Sequence, residues 1–126
     1  MGTNKIDFTE LAIALAQTLE EKNRAYGNSY DESIDTWGTT TMGVRIEDKY
    51  NRIKHLLLNS ETQKNDESLF DTFLDNAGYS LLALRYMINH DMVSEETLKK
   101  VQEKFAAFNQ ELTSTVQLNN QVNNQK

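Results

Sequence analysis

The chain has 126 residues, with 13 Lys and Arg against 19 Asp and Glu, so its formal net charge is −6. This is the size of one compact domain, and the negative balance excludes the counterion-release footprint of a duplex-DNA binder. The chain has no cysteine, which excludes disulfides, thiolate metal sites and sulfur nucleophiles. Its apolar runs fall far short of the roughly 20 residues that cross a bilayer. The first residues lack the charged and apolar blocks of a secretion signal, so a soluble, cytoplasmic protein is expected.

There is no proline and there are only five glycines, so little interrupts helix formation. From Phe8 to Tyr26, Leu11, Ile13, Leu15 and Leu19 sit among alanines and glutamates, with Asp7 and Glu10 placed as an approximate capping box. Gly27 ends this first helix. The stretch 28–41, NSYDESIDTWGTTT, mixes turn formers, β-branched residues and a tryptophan without a helical stripe, and is expected to be an ordered loop. A second helix is expected over 44–58, where Ile46, Tyr50, Ile53 and Leu57 share a face. Residues 59–65 form a polar connector.

A third helix is expected over 66–89, striped by Phe70, Phe73, Leu74, Ala77, Leu81, Leu84 and Ile88. It is apolar nearly all round from residue 77 to 88, which predicts the central, most buried helix. Ser94, with Glu95 and Glu96 behind it, suits the start of a fourth helix carrying Leu98, Val101, Phe105, Phe108 and Leu112. The predicted architecture is all-α: four helices with an ordered loop between the first two, in a single domain over 1–115. The Asn- and Gln-rich tail 116–126 is expected to fray.

The third helix carries the most informative cluster. Glu67, Asp71 and Asp75 are spaced by four and lie in one stripe, an arrangement in which each like-charge pair costs an isolated helix roughly 0.2–0.5 kcal/mol. Either a cation sits opposite or the stripe is a solvated acidic face. Gly78 continues the stripe and leaves room for a ligand or a second backbone. A hard cation such as Mg²⁺ takes oxygen ligands of this kind, completed by water and phosphate.

On the second helix Arg45, Asp48, Arg52 and His55 share a side, flanked by Lys49 and Lys54. Glu47 or Asp48 can complete a metal site against the third helix while Arg52, Lys49 and Lys54 bind phosphate oxygens. The same residues can equally serve as ion pairs within and between helices. His55 and His90 lack the company a zinc site needs. Tyr26, Tyr30 and Trp37 surround the first loop and fit either a core or a base-stacking role, a contact worth roughly 1–3 kcal/mol per base. The glycines do not have P-loop or dinucleotide-fingerprint spacing.

Three ordered blocks carry a resemblance: KNRAYGNSY at 22–30, RIEDKYNRIKHLL at 45–57 and DESLFDTFLDNAGYSLLAL at 66–84. Together they resemble the nucleotide modification associated domain family of bacteriophages and prophages, which looks like a relative of the all-α, MazG-like nucleoside triphosphate pyrophosphohydrolases. The resemblance implies a MazG-like helical bundle in which acidic residues of two helices hold Mg²⁺ against a triphosphate. Carried over by position, Glu47, Asp48, Asp71 and Asp75 become metal ligands. Glu67, Asp71 and Asp75 become the catalytic carboxylates, with Glu67 as general base. Beside the resemblance, Lys22, Tyr26, Trp37, Lys49, Arg52 and Lys54 are the expected ligand-binding residues, the cations for phosphate and the rings for a base. Two departures stand out: Asn51 occupies a position where the hydrolase motif expects a further glutamate, and Asp71 one where glutamate is usual.

The expected activity is therefore Mg²⁺-dependent hydrolysis of a (deoxy)nucleoside triphosphate to monophosphate and pyrophosphate. A phage protein that binds and sequesters a nucleotide or nucleotide-derived host defence signal is the second expectation, and a helical protein-interaction module the third. A homo-oligomer, dimer or tetramer, is expected in each case, because four short helices leave the apolar third helix incompletely covered. No duplex nucleic acid or membrane partner is expected.

Overall fold

The computed structural model describes residues 5–59 and 66–124, with side chains of the second stretch from residue 68 onward. Five α-helices follow one another: α1 (Phe8–Tyr26), α2 (Ser29–Trp37), α3 (Thr40–Leu58), α4 (Asp66–Asn89) and α5 (Glu95–Asn124). Among the described residues there is no strand, and no helix is long and apolar enough to cross a membrane. The backbone divides into two units, Met1–Tyr86 and Met87–Lys126.

α1 has the predicted bounds. Asp7 accepts a hydrogen bond from the Glu10 amide at 2.8 Å, and Gly27 stops the helix with φ 70°, a left-handed value that glycine adopts without a Cβ penalty. The predicted loop between the first two helices is instead the nine-residue α2. Asp31 and Glu32 in its first turn complement the helix dipole. The Gly38 amide closes the last turn on the Ile34 carbonyl at 2.7 Å, with Gly38 at φ 94°. The apolar stripe is missing because the buried face of α2 consists of Asp31 and Ile34, one of which reads as solvent-facing in sequence.

The same substitution of polar for apolar rotates α3. Ile53 and Leu56 are buried and Ile46 and Lys49 half-buried, whereas Tyr50 and Leu57, both predicted on the inner face, are exposed. The inner stripe is therefore Ile46, Lys49, Ile53 and Leu56, at spacings of three, four and three. α3 also begins at Thr40, earlier than predicted, where the Thr41 amide bonds the Gly38 carbonyl at 3.1 Å and the Met42 amide bonds Thr39 at 3.0 Å.

α4 has the predicted bounds and is central to the first unit. Gly78 lies against Leu19 of α1, Tyr86 and Arg85 reach Asp35 and Asp31 of α2, and Asp75 and Thr72 meet Lys49 and Arg52 of α3. It is not buried all round, however: Thr72, Gly78 and Tyr86 are buried while Phe70, Phe73, Leu81 and Leu84 remain exposed.

In the second unit, Asp91 takes a left-handed φ of 57° and the Met92 amide bonds the Met87 carbonyl at 2.8 Å, a Schellman-like stop after α4. Ser94 caps α5, accepting from the Thr97 amide at 3.1 Å. α5 continues to Asn124, through the segment 116–124 that was expected to fray, and none of its residues is buried.

Candidate functional site

A cleft of about 890 Å³ opens in the first unit. One wall is α1, from Leu11 through Lys22 and Asn23 to Tyr26, and the opposite wall is α4, with Phe70, Asp71, Leu74, Asp75, Gly78 and Tyr79. Gly27, Ser29 and Tyr30 form one end, and Arg45 enters from α3. The two walls approach because Gly78 has no Cβ: one built there would lie 3.2 Å from Leu19 Cδ2. The space that Gly78 leaves on its stripe is thus taken by a second helix.

Asp71 and Asp75 are one turn apart on α4 and both line the cleft. Asp75 is held from behind by α3, with Lys49 Nζ 3.2 Å from its Oδ2. Lys49 also sits 5.9 Å from the centroid of Tyr79, within cation–π range. Tyr79 in turn packs at 6.1 Å, tilted, against Tyr30. The result is one continuous set of contacts, Asp75, Lys49, Tyr79 and Tyr30, running from the acidic wall to the aromatic end.

The Tyr30 hydroxyl has no hydrogen-bond partner among the described residues. Burial raises its pKa above the ordinary 10.0, Asp31 adds to the rise and Arg45 opposes it, so the phenol stays protonated as a donor at neutral pH. Beside it a polar knot braces α2 on α4. Asn28 Nδ2 donates to Asp31 Oδ2 at 3.3 Å, Arg85 approaches Asp31 Oδ1 at 3.8 Å, and the Tyr86 hydroxyl donates to Asp35 Oδ1 at 2.8 Å.

Of the residues singled out from sequence, Lys22, Tyr26, Asp71 and Asp75 line this cleft, and Lys49 supports it from behind. Arg52 is turned to α4 instead, its Nε donating to Thr72 Oγ1 at 3.3 Å, and Thr72 Oγ1 donates to the Ser68 carbonyl at 2.7 Å. Lys54 lines a separate open groove with Asn51, His55, Leu58 and Asn59. Trp37 is 77% exposed at the end of α2 and does not line the cleft. Glu47 and Asp48 are exposed on α3 and do not line it either. The Glu67 side chain lies outside the described residues.

Among the described residues no three His, Asp or Glu side chains form a metal-binding group. The pair Asp71 and Asp75 nonetheless suits Mg²⁺ bound together with a nucleotide, since that ion commonly takes one or two carboxylates and fills its octahedron with water and phosphate oxygens. Tyr79 was not singled out in sequence, although it stands four residues after Asp75, one turn along the same wall. Arg45 was noted only as part of a charged side of its helix, yet it is four residues before Lys49. No family model, curated protein or solved structure matches the chain.

Proposed function

We propose that the cleft between α1 and α4 binds a nucleotide, and that with Mg²⁺ held by Asp71 and Asp75 it serves hydrolysis of a (deoxy)nucleoside triphosphate to monophosphate and pyrophosphate. One observation carries the binding reading: a cleft of about 890 Å³, within the usual range of roughly 300–1,000 Å³ for small-molecule sites, joins two carboxylates, two cations and three tyrosines. The resemblance of residues 22–84 to the phage nucleotide family, with its relation to MazG-like hydrolases, supports the reaction.

In this reading Lys22 and Arg45 bind phosphate oxygens through charge-assisted hydrogen bonds. Tyr26, Tyr30 and Tyr79 supply ring surface for the base, and the unpartnered Tyr30 hydroxyl donates to a polar atom of the ligand. Lys49 is a positioning residue that fixes Asp75. Glu67, one turn before Asp71, accepts the proton of the attacking water. Mg²⁺, when bound, neutralises phosphate charge and makes that water more acidic. Arg52 acts at one remove, by holding Thr72.

Two observations favour a second reading, binding without turnover: the Lys49 ammonium pairs with Asp75 at 3.2 Å, and Asn51 stands where the hydrolase motif expects a glutamate. A phage protein that sequesters a nucleotide-derived signal needs only the cleft.

The test is to incubate the protein with a mixed panel of nucleotides and Mg²⁺ and identify ligands and products by mass spectrometry. Monophosphate and pyrophosphate establish the enzyme, and Asp75→Asn must then abolish them while the protein stays folded. A stoichiometric, unchanged ligand establishes the binding protein. A ligand at 100 times its dissociation constant stabilises the fold by about 2.7 kcal/mol, so the absence of any nucleotide-induced melting shift rejects both and leaves a protein-interaction module.

A further inference from the structure

The second unit holds a feature that the cleft does not use. Along α5, Leu98, Val101, Phe105, Phe108 and Leu112 recur at spacings of three and four, and Thr115, Asn119 and Val122 continue the same seam. This is the heptad pattern of a left-handed coiled coil, with the seam at positions a and d. No residue of α5 is buried, and Phe105 is 68% exposed. A 30-residue helix with such a seam is made to lie against another helix of the same kind.

The charges beside the seam say which helix. Lys104 and Glu111 are the charged residues at the g positions, and the e positions Gln102, Asn109 and Val116 beside the central layers are uncharged. In a parallel pair, g faces e of the other strand, so neither charge finds an opposite one. In an antiparallel pair, g faces g. When Phe105 of one copy stacks on Phe108 of the other, Lys104 faces Glu111 twice, by symmetry, and Val101 meets Leu112. A slip of one heptad in either direction sets Lys104 against Lys104 or Glu111 against Glu111. Opposite charges meet only in the register that also joins the phenylalanines.

We infer that the protein self-associates through α5, two copies pairing antiparallel in the Phe105–Phe108 register about a two-fold axis. The occupant of this exposed face is a second copy of the same helix, because a self-complementary seam with self-complementary charges is what an isologous contact requires. The inference is independent of the nucleotide reading, which concerns the other unit.

Sedimentation equilibrium of the full chain tests it. The wild type is expected at twice its 14.5 kDa chain mass, and Phe105→Glu at the monomer mass. Lys104→Glu and Glu111→Lys are each expected to weaken the dimer about tenfold, as two attractive contacts become repulsive, and their combination is expected to restore it. Orientation is read by disulfide capture, since the chain has no cysteine of its own. Leu98→Cys mixed with Thr115→Cys should cross-link, and Leu98→Cys alone should not. A wild-type monomer at every concentration overturns the inference and leaves the face to a different protein. A charge-swapped double variant that fails to recover, or Leu98→Cys cross-linking to itself, overturns the antiparallel register even if Phe105→Glu fails to fold.

Discussion

The two units of this chain treat their inward faces in opposite ways. In Met1–Tyr86 several helices converge, and the contacts among α2, α3 and α4 are as much polar as apolar: Asp31 and Thr72 are buried alongside Ile34, Ile53, Leu56 and Tyr86. In Met87–Lys126 one long helix carries a seam that is apolar from Leu98 to Leu112, and buries none of it. The first arrangement holds its geometry by specific partners, which suits a cleft whose walls must stay in register. The second has no partner among the described residues of its own unit and is suited to association. Buried polar contacts lose strength abruptly when one member is removed, whereas an exposed seam tolerates change until its partner arrives.

The strongest way to break this contrast is Ile34→Ala. Ile34 is the most completely buried side chain described, 2% exposed, and truncation at such a site costs about 2–5 kcal/mol. Urea denaturation should show that loss, whereas Gln110→Ala on the outer face of α5 should stay within about 0.5 kcal/mol. Equal effects would mean that the first unit has no organised core around α2.

Asp31→Ala comes next. The carboxylate accepts from Asn28 and pairs with Arg85, and removing it leaves the guanidinium, whose Nε already lacks a hydrogen-bond partner among the described residues, without its acidic neighbour. The expected cost is about 1–3 kcal/mol. Asp31→Asn should recover part of it, since an amide oxygen can still accept. A neutral Asp31→Ala would show that the knot holds α2 only passively.

These two residues also show how far the sequence could be read. α1 and α4 were legible to their ends, because alanine, leucine and glutamate patterns and an Asp7 cap are local signals. α2 was hidden because its inner face pairs one apolar residue with Asp31, and hydrophobic periodicity counts such a carboxylate as outward-facing. Lys49 misled in the same way, shifting the inner stripe of α3 away from Tyr50. The acidic stripe of α4 did mark the cleft at Asp71 and Asp75. Of the opposite wall only Lys22 and Tyr26 were legible, since which face of α1 meets α4 depends on Gly78 admitting Leu19, a tertiary contact. Trp37, Arg52 and Lys54 drew attention by residue type, which says nothing of direction.

Tyr86→Phe sharpens the contrast through pH. The Tyr86 hydroxyl donates to Asp35 at 2.8 Å, and that bond first, then burial and the nearby carboxylates, raises its pKa above 10.0. A phenol whose folded-state pKa lies above its unfolded one stabilises the fold fully below the unfolded value. That contribution is lost as pH rises from about 10 through the raised folded value. The wild type should therefore show a steeper alkaline loss of stability than Tyr86→Phe, which should also be weaker at neutral pH because it lacks the bond to Asp35. Parallel alkaline limbs would show that the bond does not persist in solution.

The smallest effect belongs to Gly78→Ala, and its sign measures how tightly the cleft wall is held. An added Cβ would sit 3.2 Å from Leu19 Cδ2, closer than comfortable packing, but the neighbour is the tip of a flexible side chain on a helix with no buried residue. Alanine inside a helix gains about 1 kcal/mol over glycine, which offsets a few tenths of an ångström of movement by Leu19. The melting temperature should change little, with the net effect within about 1 kcal/mol. Gly78→Leu has no such escape, because a full side chain must enter the space between α1 and α4. It should push α1 outward and abolish nucleotide-induced stabilisation while the Tyr86–Asp35 contribution to the alkaline limb survives. If Gly78→Ala alone costs several kcal/mol, α1 is clamped on α4 as firmly as α2 is, and the cleft is a rigid slot rather than one whose first wall can give.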